Sequence, residues 1–585
     1  MTKDDDVTIS TAPPAPPRHR RLLGSAGSDG KLGTTLVGLL GEGLVSMAAA
    51  LLMLGLSVNV ELNPMTRVGA VSGLAGLQFY YLLLIGAVLL VAIPLMRRWR
   101  ALPVRMVSAA LAGLATGLTA AGIALALRGS DWPLNGSSGD AGSLQAWATA
   151  IVDGRPLDPA YPPLFPHLMA LVSQTVTDGR MGLALKVLEL VFIAGMGPVA
   201  YLCWRTVLPP LWALGIGVTS ALPMMQPYKP YTNIVLVALV PLLAKLFQLL
   251  QRSALLPRRT AALAGGALGV TTGLLFLLYS GWFVWSALGV CLLVPAVLFR
   301  TWRGHGVRAL VTSLVTLGTT LVGFLLVAGA YLYQLLTAAG TAVDRYCYFD
   351  TYTEPTYFVM WRDDLPGSDA MSTWPLPGEL GGVGLFSLLL LLGLGVALAV
   401  GARNAVVWVA GACAASAMLM RYWFASHMER DQAVMLYPRT SAQMLYCLLV
   451  LTGVAAYLLA ERYRARRAGL REEDAPAHAG QWLVGRRFVL AAVCALGLLY
   501  GMAGSSTAAK YMPEDPDRGS AGQLAWHSHS QQNDNGKCSP YAPNGKCAPS
   551  AWDLHAPIEK PVDTGKLGCW TTNPYPLRPW MALVK

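Results

Sequence analysis

Charge is scarce in this chain of 585 residues: Asp, Glu, Lys and Arg together make up 13% of it, against about 25% in soluble globular proteins. That shortage excludes a water-soluble globular protein. Several other features are also missing. No run alternates basic and aromatic residues, as a surface for single-stranded nucleic acid would, so the net charge of +12 is no sign of a nucleic-acid partner. No close C-x-x-C pair suggests a structural zinc site. No internal repeat stands out. No cleavable signal peptide is evident: after MTKDDD, APPAPPR and RHRR, the first apolar run starts late and is too long for a signal core.

What is present is apolar sequence, 54% of the residues. Runs long enough to cross roughly 30 Å of hydrocarbon lie near 34–58, 76–96, 104–127, 182–204, 207–224, 231–250, 261–279, 281–299, 307–337, 382–401, 404–423, 440–460 and 487–505. The expected fold class is an all-α polytopic membrane protein of about thirteen spans. The basic pieces RRWR (97–100), Arg205, QRSALLPRR (251–259), RTWRGHGVR (300–308), Arg403 and the 461–487 loop all fall on the same side of that pattern. The positive-inside bias makes this side cytosolic. It predicts a plasma-membrane protein with a cytosolic N-terminus and an extracytoplasmic C-terminus. The domain reading is a disordered cytosolic tail over 1–33, a transmembrane module over 34–505 with external loops 128–181, 338–381 and 424–439, and an external tail over 506–585.

Cysteine usage agrees. Cys203, Cys291, Cys413, Cys447 and Cys494 lie in spans, where a thiol is a small apolar filler. Cys347, Cys538, Cys547 and Cys569 lie on the side predicted to be outside, where disulfides persist. NGKC occurs twice, at 535–538 and 544–547, which suggests a Cys538–Cys547 bridge; Cys569 would then pair with Cys347 or with nothing.

The predicted external loops also gather the chemistry. LNGSSGDAGSLQAW (134–147) carries Asp140 in what reads as a flexible loop, and PAYPPLFPHL (159–168) carries Tyr161 and Pro162. Lys186 enters the fourth span, Lys229 sits between two prolines in MMQPYKPYTN (224–233) beside Tyr231, Tyr279 closes the seventh span, and Arg439 precedes the twelfth. A further loop holds DRYCYFDTYTEPTYFVMWRDD (344–364). Each has a plain alternative: loop carboxylates are mostly solvated, a lysine near a span end snorkels, and rings at span ends anchor at the interface. Together they fit sugar transfer from a lipid phosphate, which needs one carboxylate to take the acceptor proton and cations for the leaving phosphate.

The order of Asp140, YPPLF (161–165), Lys186, PYKPYTNIVLVALVPLL (227–243), Tyr279 and Arg439 resembles the actinobacterial galactan 5-O-arabinofuranosyltransferases, over roughly residues 100–455. The resemblance implies a GT-C-like bundle and an inverting transfer of arabinofuranose from decaprenyl-phosphate arabinose to a cell-wall glycan. It implies Asp140 as base, Tyr161, Pro162, Lys186, Lys229, Tyr231, Tyr279 and Arg439 around the donor, and the lipid bilayer as the remaining partner. It departs at Ala141, where the family has Gln, and in a shorter C-terminal tail. A divalent cation suits such chemistry, but no ligand set for one stands out, and no other cofactor is expected. The rival expectations are a secondary transporter, whose charges would lie mid-span in repeated helices, and a non-catalytic partner in wall assembly.

Overall fold

A computed structural model describes residues 28–98, 101–338, 385–431, 437–467 and 486–549. The 1–27 segment, most of the 338–381 loop with Cys347, and Cys569 lie outside the described residues. Among the described residues there is no strand, and ten helices are long and apolar enough to cross a membrane. The chain is a multi-pass, all-α membrane protein. This is the architecture that lipid enforces, because a helix satisfies its own backbone polar groups where no water can.

The helices run α1 Ser28–Leu56, α2 Arg67–Arg98, α3 Ala101–Ala126, α4 Gly139–Val152, α5 Leu164–Thr175 and α6 Met181–Arg205, followed by the short apolar α7 Pro210–Met224. Then come α8 Pro230–Gln251, α9 Arg258–Leu278, α10 Gly281–Ala338, α11 Leu385–Gly401, α12 Ala405–Asp431, α13 Thr440–Arg467, α14 Arg486–Ala509 and the small α15 Gln523–His529. Each predicted apolar segment overlaps one of these. Two expected spans merge into α10, whose two arms meet at Gly306 with φ 77° and ψ −174°, an open conformation outside the helical region. The predicted 424–439 loop is shorter than expected, since α12 continues to Asp431.

The most enclosed spans are α3 and α8. The sequence of α3 is rich in Ala, Gly and Thr, which lets neighbours approach closely. At Gly113 an added Cβ would lie 1.9 Å from the Ser46 carbonyl oxygen of α1. Helices α2, α6 and α14 pack on the other sides of α3, while α6, α9, α10 and α12 surround α8.

One buried charge cluster ties three of these helices. Glu42 of α1 is fully buried. It accepts from Arg105 Nε of α3 at 2.6 Å, from Arg205 Nε of α6 at 2.8 Å and from the Tyr201 hydroxyl at 2.7 Å. Removing one partner from such a group strands the others, at a cost on the order of 3 kcal/mol. Glu42→Ala is therefore expected to lower the unfolding midpoint in detergent markedly, and Arg105→Lys, which keeps the charge, to lower it less. An unchanged midpoint for Glu42→Ala would show that the cluster holds nothing together.

Candidate functional site

Asp140 does not sit in a flexible loop. Two helices, α4 and α5, occupy the predicted 128–181 loop, and Asp140 stands in the first turn of α4. The reason is local: LQAWATAIV after it is apolar enough to bury one face, and a carboxylate in a first turn sits favourably at the positive end of the helix dipole. Its carboxylate Oδ2 lies 2.5 Å from Lys229 Nζ. Lys229 is the residue before α8, and Pro230 takes the first helical position, where its missing N–H costs nothing. The lysine is mostly covered, the aspartate half exposed. Burial pulls the Lys229 ammonium below the usual lysine range; Asp140 works against that fall, and Arg439 adds to it.

Arg439 is the last residue of a short turn, Tyr437–Arg439, just ahead of α13. Its Nη1 donates to the Tyr279 hydroxyl at 2.6 Å, and the guanidinium lies 6.0 Å from that ring's centre. Tyr279 sits at the end of α9 in an extended conformation. The following turn has to contain Gly281, because a Cβ there would come within 2.7 Å of the Tyr279 ring.

The third group is aromatic. The Tyr161 and Tyr231 hydroxyls are 2.5 Å apart. Tyr161 lies against Trp147 with centroids 3.9 Å apart, and Tyr231 stacks on Phe165 at 4.3 Å. Burial first, then Tyr231 and Asp140, push the Tyr161 phenol well above its ordinary range, so it stays a neutral donor. Buried Pro162 and then Pro163 restrict the backbone between Tyr161 and the start of α5 at Leu164. Tyr331 of α10 donates to the Ala160 carbonyl at 3.2 Å, and Trp282 Nε1 donates to the Thr232 carbonyl at 2.8 Å. Asp140, Tyr161, Lys229, Tyr231, Tyr279 and Arg439, drawn from five separate segments, thus meet at one end of the bundle. It is the end opposite Arg205 and the 251–259 and 300–308 basic loops.

Lys186 stands apart. Its ammonium donates to the carbonyls of Leu127 and Ser130, at 2.9 and 2.5 Å. One helical turn on, Glu189 Oε2 accepts from the Leu134 N–H at 3.1 Å. Lys186 and Glu189 therefore hold the loop that leads into α4. Sequence reasoning missed Trp147, although it lies two turns after Asp140 on the same face of α4. It named the polar segment after α14 as an external tail, but not its packing on the 129–138 loop.

That segment carries the Cys538–Cys547 disulfide, with Cα atoms 5.5 Å apart. The buried His529 Nε2–H donates to the Ala126 carbonyl at 2.8 Å, and its Nδ1 accepts from the Ser539 hydroxyl at 3.0 Å. Among the described residues no group of three or more His, Cys, Asp or Glu is gathered as a metal site would require.

Fold and site define the class: a multi-pass helical membrane protein with a charged, tyrosine-lined cluster at one end of its bundle. No protein-family model matches the chain, and no curated protein matches it in sequence.

Burial lowers the His529 imidazole from 6.5 to about 4. The unfolded segment therefore binds a proton that the folded one refuses. The contribution is fully present above pH 6.5 and is lost as pH falls through 6.5 toward about 4, up to roughly 3 kcal/mol. Hydrogen exchange of the 129–138 amides should speed up across that window, and much less in His529→Gln. A window of the same size in both proteins would remove His529 as its cause.

Proposed function

We propose that the chain is a membrane-embedded, inverting glycosyltransferase. It moves a sugar, arabinofuranose by the resemblance, from a polyprenyl phosphate to a hydroxyl of a cell-wall glycan of the galactan type on the extracytoplasmic side. The observation that carries this reading is the company Asp140 keeps: one carboxylate, two cations and three tyrosines in a single cluster. The cluster lies at the end of the bundle away from the basic loops, which the positive-inside bias assigns to the outside.

In the proposed reaction the acceptor oxygen attacks the anomeric carbon from the face opposite the phosphate. The bond from that carbon to the phosphate oxygen breaks, and the electron pair leaves with the polyprenyl phosphate. The acceptor proton passes to Asp140, the carboxylate in contact with Lys229. Lys229 and Arg439 take up the growing charge on the phosphate, the arginine with two parallel donors. The N-terminus of α8, directly beside Lys229, adds its positive dipole end. Tyr161, Tyr231 and Trp147 offer hydroxyl donors and a ring face to the sugar. Lys186, bound to the 127–130 carbonyls, has a bracing role in this reading rather than a phosphate role.

The test is transfer from a labelled polyprenyl-phosphate arabinose to synthetic galactan and other acceptors by the purified protein in proteoliposomes, with linkage analysis of the product. Asp140→Asn is expected to lower kcat by at least about 100-fold. Full transfer by that variant would sink the assignment of the base. Lys229→Met and Arg439→Met are expected to raise KM for the donor by at least about tenfold, while the acceptor KM changes little. Uptake of a solute into the proteoliposomes without formation of a glycosidic bond would instead favour a transporter.

A further inference from the structure

Asp140 is placed by the chain that precedes it, and that chain is held both by α6 and from outside the helix bundle. The 129–138 loop takes unusual backbone conformations. Asn135, Gly136 and Gly139 all have positive φ, at 71°, 62° and 55°. Asn and Gly are the residues that tolerate this region best, but three such residues within five need external fixing to persist.

Part of the fixing comes from the bundle, where Glu189 accepts from the Leu134 N–H and Gln145 Nε2 donates to the Gly136 carbonyl at 2.9 Å, and much of the rest from the segment after α14. Asn533 Oδ1 accepts from the Asp131 N–H at 2.9 Å, and Asn533 Nδ2 donates to the Gly129 carbonyl at 3.1 Å. Trp132 Nε1 donates to the Gln532 carbonyl at 2.8 Å, the Ser528 hydroxyl donates to the Pro133 carbonyl, and the Asn135 N–H donates to the Leu524 carbonyl at 2.8 Å.

Gln531 makes the contact nearest to Asp140. Its Oε1 accepts from both the Ser137 N–H at 3.0 Å and the Ser137 hydroxyl at 3.2 Å. It lies so close to Gly136 that a Cβ there would fall 2.5 Å from that oxygen. Ser137 is three residues from Asp140 and buried. Gln531 is itself fixed by backbone pairing of its neighbours: Gln532 N–H donates to the Ala548 carbonyl, and Ala548 N–H to the Ser530 carbonyl, both at 2.9 Å. Ala548 follows the disulfide-bonded Cys547.

We infer that Gln531 is a positioning residue for Asp140: from the segment after the last span it clamps Ser137 and so sets where the first turn of α4 presents the carboxylate. The inference rests on the reading of Asp140 as the base. A carboxylate that must meet an acceptor hydroxyl within hydrogen-bond reach tolerates little displacement, and a shift of about 1 Å costs up to about 100-fold in rate.

Gln531→Leu keeps much of the bulk of the side chain and removes the acceptor. Gln531→Glu keeps an acceptor oxygen in the same place. In the transfer assay Gln531→Leu is expected to lower kcat at least about tenfold, with donor KM within about twofold and an unchanged unfolding midpoint. Gln531→Glu should recover most of the loss. Hydrogen exchange should rise at Ser137–Asp140 in Gln531→Leu, while the amides of α8 stay as protected as in the unaltered protein. Equal kcat for Gln531→Leu and the unaltered protein would overturn the inference. So would a loss that Gln531→Glu fails to recover and that comes with exchange rising over the whole 510–549 segment, which would mean collapse of that segment. An unaltered protein that transfers no sugar would count against the transferase reading alone, and the exchange comparison would still decide the clamp.

Discussion

The contact on which the site depends is the one between Asp140 and Lys229. Each residue stands at the N-terminal end of its helix, α4 and α8, and the two helices are separated in the chain by α5, α6 and α7. The contact is half exposed, so its own contribution to stability is small. Its consequence is geometric. It fixes the start of α4 beside the start of α8, and Tyr161, Tyr231, Tyr279 and Arg439 fall into place around that meeting point. Charged groups in a membrane protein lie at span ends or find partners, and here the partners come from other ends of the same bundle face.

The same rule operates elsewhere in the molecule. Glu42 is enclosed by Arg105, Arg205 and Tyr201, which fastens α1, α3 and α6 toward the other end. Lys186 donates to backbone carbonyls of the 127–134 loop, and Glu189 Oε2 accepts from one of its N–H groups. Together with the clamp from the segment after α14, they hold the approach to Asp140 from both sides. The loop is thus built as a rigid support even though its sequence, LNGSSGD, has the composition of a flexible linker.

How much of this could be read from the sequence follows from what each signal depends on. The spans were legible because burial in lipid needs about twenty apolar residues in a row, a property of one segment alone. Asp140, Lys229, Tyr231, Tyr279 and Arg439 were legible as candidates because charged and aromatic residues at span ends are few. The conformation of 134–147 was not, since Gly and Ser hide the short apolar run of α4 that Trp147 anchors. Lys186 reads like Lys229 from sequence, each being a lysine at a span end, and only the carbonyls of Leu127 and Ser130 separate the two. Gln531 and Glu42 act through contacts across hundreds of residues or between distant helices, and no local pattern announces such a pairing.

The balance of charge in the cluster also bears on the kind of chemistry proposed. Hydrolysis of a glycoside calls for two carboxylates, one to protonate a poor leaving group and one to attack or to activate water, about 5 to 9.5 Å apart. The groups that act on Lys229 are one carboxylate, Asp140, and a second cation, Arg439. A sugar already joined to phosphate carries a good leaving group that needs cations rather than an acid, and its acceptor needs one base. Among the described residues, one carboxylate and two cations beside tyrosine hydroxyls suit that division of labour. They suit a transporter less well, because its coupled charges would have to face both sides of the membrane in turn, whereas these are gathered at one end and bound into its loops.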